Sequence, residues 1–227
     1  MSVIDAHQHF WWMAKRAQPF PAIFGNRLAH DFTPADLLPH LRAAGIDGTI
    51  LVQSLNDLIE TIEYLDLADA HDFIKGVVGW VPLDDPAACA RSLNSLTARR
   101  RFVGVRHLMN YEPDPAWLIR PDVLESLRQI AAHRLVFEAI PVNDRQLESV
   151  IAAAQRLPDL AIVLNHLGRP PVPENSWEPW GMQMTRAAAC PKISVKLSAG
   201  GDLVARWTLV DGPDPPLRGS CPRFVWT

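Results

Sequence analysis

Two histidines, His7 and His9, stand two residues apart in the stretch Val-Ile-Asp-Ala-His-Gln-His-Phe at positions 3–10, which has the apolar, β-branched character of a strand. Side chains two residues apart on a strand point to the same face, so the two imidazoles are predicted to lie side by side, with Asp5 on that face as well. Such a pair suits either the binding of a divalent metal ion such as zinc or the gripping of an oxyanion. The structural alternative is two histidines satisfied by hydrogen bonds inside a core.

Two more polar residues, Arg106 and His107, end an apolar run at positions 102–108. An arginine is costly to bury without an anion, so both are predicted to bind a substrate carboxylate or a hydroxyl-rich ligand. Glu138 lies within another apolar run, where it is predicted to act as a general base or to accept hydrogen bonds from sugar hydroxyls. A structural ion pair between Arg106 and Glu138 is the alternative.

Three polar residues end the later runs. Asn165 and His166 end the run at 160–166, and Gly168 follows closely, so His166 is predicted to face the site in a catalytic or ligand role. Lys196 ends the run at 193–197, where its amine would either polarise a carbonyl or bridge carboxylates. The sequence leaves both roles of Lys196 open.

These residues need a scaffold of strands and helices, and the chain alternates short apolar runs with longer amphipathic stretches. The predicted strands cover 3–9, 49–53, 76–81, 102–108, 135–140, 160–166 and 193–197. The predicted helices cover 33–45, 60–72, 86–99, 122–133, 145–156 and 177–189. The first helix has clear boundaries, with Thr33 as N-cap, Pro34 at the first position and Gly45 as the stop.

This alternation predicts about seven βα units of an α/β TIM (β/α)8-type barrel, which has eight when complete. A doubly wound open sheet would alternate in the same way, but it would concentrate its site at one switch point. Polar residues here recur at the C-terminal ends of many strands, which favours the barrel. The barrel is therefore predicted to be incomplete.

The last part of the chain departs from this pattern. Residues 1–202 are predicted to form the barrel domain, and residues 203–227 an atypical tail that is not native to the fold. The tail has no sustained periodicity, and its proline, glycine and arginine content resembles a linker or an out-of-frame reading. Nothing in it supplies an eighth strand and helix.

Composition excludes several classes of function. A net charge of −3 and a sequence pI near 6.2 give no electrostatic case for nucleic acid or anionic membranes. The sequence shows no signal peptide and no apolar run of the ~20 residues that cross a bilayer, so a cytoplasmic protein without a membrane partner is expected. Three widely spaced cysteines are predicted to be incidental thiols. The oligomeric state is left open.

Five motifs together resemble the amidohydrolase superfamily, and more narrowly its branch of sugar-lactone hydrolases. They are Ile-Asp-Ala-His-Gln-His-Phe-Trp at 4–11, Gly-Val-Val-Gly-Trp-Val at 76–81, Gly-Val-Arg-His at 104–107, Asn-His-Leu-Gly-Arg-Pro at 165–170 and Val-Lys-Leu-Ser at 195–198. The resemblance keeps the motifs in order and runs from residue 1 to about residue 203.

The resemblance implies a TIM barrel that hydrolyses a lactone, a small-molecule substrate of the sugar-lactone type, by water attack on the ring carbonyl. It implies catalytic roles for His7, His9 and His166. Substrate binding is then expected from Arg106, His107, Glu138, Asn165 and Lys196.

The chain departs from the family pattern at three places. Glu138 stands where metal-dependent members carry a histidine, Asn165 stands where the branch usually has aspartate, and the Gly-Ser-Asp-Trp-Pro-like eighth strand is missing. A frameshift or early stop near residues 202–206 is predicted to explain the last of these. Zinc on His7 and His9, or no metal, are both left open. So are two other functions: a metal-dependent amidohydrolase or decarboxylase of the same superfamily, and an inactive truncated remnant.

Overall fold

A computed structural model describes residues 2–18, 28–171 and 177–198 of the chain. Its seven strands are β1 (Ile4–Gln8), β2 (Gly48–Val52), β3 (Ile74–Gly79), β4 (Phe102–His107), β5 (Val136–Ala139), β6 (Ala161–Leu164) and β7 (Ile193–Val195). Its six α-helices are α1 (Pro34–Ala43), α2 (Leu58–Ala70), α3 (Pro86–Leu96), α4 (Pro121–Ala132), α5 (Asp144–Arg156) and α6 (Trp180–Ala188). All strands pair in parallel, in the order in which they occur along the chain.

Local signals at the helix starts explain why these segments are helical. Helices α1, α3 and α4 each begin with a proline, whose missing N–H costs nothing at a first position. The side chains of Asp57, Asp85 and Asn143 accept hydrogen bonds from the first-turn backbone of α2, α3 and α5. Gly45 follows α1 with φ +67°, a conformation that glycine adopts without steric cost.

Contacts between side chains of distant strands show that the sheet is curled, with these side chains on its inner face. Nε2 of His7 on β1 lies 3.5 Å from Nη1 of Arg106 on β4, and Nδ1 of the same ring lies 3.4 Å from Nζ of Lys196 after β7. The register of β4 with β5 also sets Arg106 beside Glu138. The predicted incomplete TIM-type barrel is thereby confirmed, as seven parallel strands that form an open, curled sheet.

The main hydrophobic core lies between the sheet and the helices that cover it. Leu51, Val77, Val105, Phe137 and Ile162 of β2–β6 are fully buried in it. Such strands, covered on both faces, are expected to read as continuous apolar runs.

The observed boundaries differ slightly from the predicted ones. Strand β7 ends at Val195, so Lys196 stands just beyond it, and helix α6 begins at Trp180 rather than residue 177. The predicted tail at 203–227 lies outside the described residues, and the domain boundary at residue 202 stays a prediction. Among the helices in the described ranges, none is long and apolar enough to cross a bilayer.

Candidate active site

Three of the predicted site residues, His7, His9 and His166, meet at the C-terminal ends of the strands. The ring centroids of His7 and His9 are 4.8 Å apart, and those of His7 and His166 are 4.7 Å apart. The Nε2 atoms of His7 and His9 face each other at 3.1 Å. His7 on β1 and His9 just after it therefore both face the inner side of the sheet, as the sequence predicts.

A backbone carbonyl holds His9 in place. Nδ1 of His9 lies 2.7 Å from the carbonyl oxygen of Val52, the last residue of β2. Burial, followed by the charge of Arg106, lowers the pKa of His9 to about 3. Burial also lowers the pKa of His7 well below its usual value, with His9 and Arg106 adding to the effect. Both rings are therefore neutral at pH 7.

Arg106 is the fixed positive charge of the site. Its side chain is only 2% exposed, and its Nη2 donates a hydrogen bond to the carbonyl oxygen of Gln53. Burial lowers the pKa of Arg106 to about 10, which leaves the guanidinium charged at neutral pH. Its Nε has no hydrogen-bond partner among the residues that the structure describes. A buried charged donor without a partner is a natural place for a ligand oxygen.

Glu138 and Lys196 form a buried ion pair across the inner face. Nζ of Lys196 lies 2.5 Å from Oε1 of Glu138 and 3.4 Å from Nδ1 of His7. The hydrogen-bonded partner of Glu138 is thus Lys196, although Arg106 is its neighbour on the adjacent strand. The other carboxylate oxygen, Oε2, has no partner within the described ranges. Burial lowers the pKa of Lys196, and Glu138 opposes that shift.

His166 is aimed into the site by a left-handed turn. Residues 166–169 all have positive φ, with His166 at 53°, Leu167 at 58° and Arg169 at 55°. Such angles are sterically unfavourable for residues other than glycine, and they cluster at functional sites. Nδ1 of His166 lies 2.9 Å from Oγ of Ser198, and the N–H of Leu167 donates to the carbonyl oxygen of Lys196. The turn is therefore tied to the segment that follows β7.

The structure places His107 in a separate cluster. Adjacent residues of a strand point to opposite faces, so His107 points away from the face that Arg106 occupies. Its Nδ1 accepts a hydrogen bond from Trp80 Nε1 at 3.1 Å, its Nε2 lies 2.7 Å from Oε1 of Glu112, and its ring stacks on Trp117. Burial lowers the pKa of His107, with Glu112 acting against it. A substrate-binding role for His107 stays a prediction without a contact in its favour.

Asn165 is fully buried beside His166, and neither atom of its amide has a partner in the described parts of the chain. Its predicted substrate role is therefore compatible with the structure, which leaves both the donor and the acceptor available. Sequence reasoning missed Ser198 and Glu112. Ser198 lies within the quoted motif at 195–198 and could have been found there, whereas Glu112 lies in a loop without any motif.

The donor set does not fit a resident zinc ion. The Nε2 atoms of His7 and His9 are close enough to share one ion, since zinc–nitrogen bonds are about 2.0–2.1 Å long. No third His, Cys, Asp or Glu completes a metal group with them among the described residues. Two cationic side chains, those of Arg106 and Lys196, also lie against His7, and a dication between them would be repelled.

Comparison with known proteins assigns the chain to a family. The amidohydrolase family model matches residues 4–218. An L-fucono-1,5-lactonase of Burkholderia ambifaria is 37% identical over 214 residues, which cover 94% of this chain and 71% of that protein. An L-fucono-1,5-lactonase of Burkholderia multivorans is 32% identical and covers 86% of this chain and 67% of that protein. A crystal structure of a Burkholderia multivorans amidohydrolase with bound zinc superposes with a TM-score of 0.78 at 30% identity, covering 88% of this chain and 70% of that one. The chain belongs to the amidohydrolase family.

Proposed function

We propose that this protein is a hydrolase that opens a sugar lactone by water attack on the ring carbonyl. The observation that carries the proposal is the convergence, on one inner face, of a charged arginine, a neutral histidine pair and a carboxylate oxygen that has no partner in the described residues. Two relatives at 37% and 32% identity that bear the name L-fucono-1,5-lactonase support the choice of a lactone.

The carbonyl oxygen would bind between Arg106 and the pair His7 and His9. Negative charge develops on this oxygen as the tetrahedral intermediate forms, and donors fixed in a buried site stabilise it strongly. Arg106 suits this role because its guanidinium is anchored through Nη2 while Nη1 lies 3.5 Å from His7 Nε2 and Nε has no partner among the described residues. The histidine pair completes the boundary on the side of β1.

His166 would act as the general base. Its ring lies 4.7 Å from that of His7, so a water molecule held beside it is close to the reacting carbon. The contact of Nδ1 with Ser198 orients the ring, and His166 with its proton on Nδ1 would take the proton of water at Nε2. The left-handed turn at 166–169 keeps the ring in this position.

Substrate hydroxyls would bind at Glu138. One oxygen of this carboxylate holds Lys196, while Oε2, in a side chain only 4% exposed, lacks a partner among the described residues. A buried carboxylate oxygen without a donor is costly, and a sugar hydroxyl would satisfy it. The amide of Asn165 offers a second pair of hydrogen-bonding atoms.

Metal chemistry has no step in this proposal, because Arg106 and Lys196 flank the ring that would bind the ion. For the same reason, a metal-dependent amidohydrolase or decarboxylase is the weaker candidate.

The test is hydrolysis of L-fucono-1,5-lactone by the full chain, followed through the acid released. Replacing Arg106 with methionine (R106M) should lower kcat/KM by about 100-fold or more, because one fixed oxyanion donor is worth about that much. Arg128→Met is the matched control, since Arg128 lies on the surface and pairs with Glu125. The proposal fails if the unmodified chain hydrolyses no sugar lactone, which is the outcome expected of an inactive remnant, or if R106M retains near-normal activity.

A further inference from the structure

A continuous series of polar contacts runs from Lys196, just after β7, to the end of β2 through His7 of β1 and His9, which follows that strand. Nζ of Lys196 lies 3.4 Å from Nδ1 of His7, and Nε2 of His7 lies 3.1 Å from Nε2 of His9. Nδ1 of His9 then lies 2.7 Å from the carbonyl oxygen of Val52. At each end of this series of contacts the donor and the acceptor are known, so the positions of the protons between the two ends follow.

The carbonyl end determines the state of His9. A carbonyl oxygen only accepts hydrogen bonds, so Nδ1 of His9 must carry a proton and donate it to Val52. Because the buried ring of His9 is neutral, its Nε2 carries no proton. The contact at 3.1 Å therefore needs a proton from the other ring, and Nε2 of His7 must be the donor.

The lysine end leads to the same result independently. An ammonium group only donates, so Nδ1 of His7 must be the bare, accepting nitrogen. In a neutral imidazole the proton then resides on Nε2. The opposite tautomer would set a ring N–H against the ammonium of Lys196 and two lone pairs against each other between His7 and His9. It would gain only the 3.5 Å contact with Arg106 Nη1.

We propose that Lys196, anchored by Glu138, is a positioning residue that holds His7 in the tautomer protonated on Nε2. In this tautomer His7 Nε2 and Arg106 Nη1 are both donors, 3.5 Å apart, and do not bond to each other. An acceptor oxygen between them would receive the proton of Arg106 Nη1 and share the proton of His7 Nε2 with His9. The use of that oxygen as the lactone carbonyl rests on the proposed function, whereas the tautomer itself does not.

The tautomer is measured by long-range 1H–15N NMR on the full chain labelled with 15N-histidine, with the His7 signals assigned by their loss in His7→Gln. We expect a neutral His7 protonated on Nε2. In Lys196→Met the share of His7 protonated on Nε2 should fall, because the contact with His9 is then the interaction that still favours it, and Lys196→Arg, which keeps a cationic donor, should restore it. Lys192→Met is the matched control, because Lys192 precedes the same strand and its ammonium group pairs with the exposed Asp159.

A second variant guards against misfolding. Lys196→Met leaves Glu138 as an unpaired buried charge, so the double variant Lys196→Met, Glu138→Gln removes both charges, and it should show the same fall in the share of His7 protonated on Nε2. A wild-type His7 protonated on Nδ1, or an unchanged tautomer in both variants, overturns the inference.

Activity separates the two proposals. With L-fucono-1,5-lactone, Lys196→Met should lower kcat by about 10-fold or more, because one donor of the pair loses its fixed direction. If the chain hydrolyses the lactone but His7 is protonated on Nδ1, the inference fails and the proposed function stands. If the tautomer is as expected but no lactone is hydrolysed, the proposed function fails and the positioning role of Lys196 stands.

Discussion

The protein carries histidines at strand ends in two clusters, which differ in how many of their polar atoms have a hydrogen-bond partner within the described residues. In the first, His107 accepts from Trp80, contacts Glu112 and stacks on Trp117. Both ring nitrogens and one ring face are taken by the protein itself. A histidine in these surroundings contributes packing and satisfied hydrogen bonds, and it has no capacity left for a ligand.

The second cluster, around His7 and His9, differs because some of its buried polar atoms have no hydrogen-bond partner within the described residues. Nε of Arg106 and Oε2 of Glu138 lie buried beside it without partners in the described residues. Both clusters lie at strand ends and both contain histidines of lowered pKa, so neither position nor the direction of the pKa shift distinguishes them. Unused hydrogen-bonding capacity does, and it marks the second cluster as the place where a ligand binds.

The largest expected effect separates the two clusters by activity. His166→Ala should lower kcat for lactone hydrolysis by about 100-fold or more, because a general base is lost. The melting temperature should change little, since the histidine is only partly buried. Steady-state kinetics beside the exposed control His133→Ala checks this, and near-normal turnover by His166→Ala would remove the base from the proposed mechanism.

At the cluster around His107 we expect a loss of stability with little loss of activity. His107→Phe keeps the ring stacked on Trp117 but leaves Trp80 Nε1 and Glu112 without their partner, which should cost about 1–3 kcal/mol of unfolding free energy. Urea denaturation measures this cost, and kcat/KM of the folded variant should stay within about threefold of normal. A stable variant with greatly reduced activity would instead support the substrate-binding role that the sequence predicts for His107.

Glu138→Gln tests the unpartnered carboxylate oxygen. A charged acceptor binds a hydroxyl about twice as strongly as a neutral one, so KM should rise by about tenfold. Glu148→Gln is the control, because Glu148 forms an exposed pair with Arg186 outside the site. An unchanged KM for Glu138→Gln would show that substrate hydroxyls bind elsewhere.

The pH dependence of stability should also differ between the clusters. The pKa of His9 falls from 6.5 to about 3 on folding, so the unfolded chain takes up a proton first as the pH drops. This contribution to stability is complete above pH 6.5 and is lost toward pH 3, at about 1 kcal/mol per pH unit. Denaturation between pH 7.5 and 5 should therefore show a slope that His9→Asn reduces. His107→Phe should reduce it less, because Glu112 opposes the shift of His107.

The smallest effect is expected from a chelator. Because the cations beside His7 disfavour a dication, dialysis against EDTA and readdition of zinc should change kcat/KM by less than about twofold. Metal analysis of the same samples provides the check. A loss of activity that zinc restores would show that the histidine pair of this chain binds a catalytic metal.

Much of the fold could be predicted from the sequence, because continuous apolar runs and helix caps are local signals. The same alternation along a strand predicts that His7 and His9 share a face. The alternation also places Arg106 and His107 on opposite faces of β4. The prediction that both residues bind substrate did not take this into account.

Other features of the site depend on tertiary structure and leave no local trace. The pairing of Lys196 with Glu138 joins residues 58 positions apart and depends on the parallel pairing of β5 and β7 with the two sides of β6. The left-handed turn includes Leu167 and Arg169, residue types that do not favour positive φ, so only the contacts around it explain that conformation.

The order of the strands has a consequence for how the site is acquired during folding. Each strand pairs with its neighbour in the chain, so the sheet is able to grow one unit at a time through contacts that are close in sequence. The contact between His7 and Lys196 spans 189 residues, and nothing short of the seventh strand completes it. A nascent or partly unfolded chain would therefore possess most of its core before it possesses any catalytic centre, and recovery of activity should lag behind recovery of secondary structure during refolding.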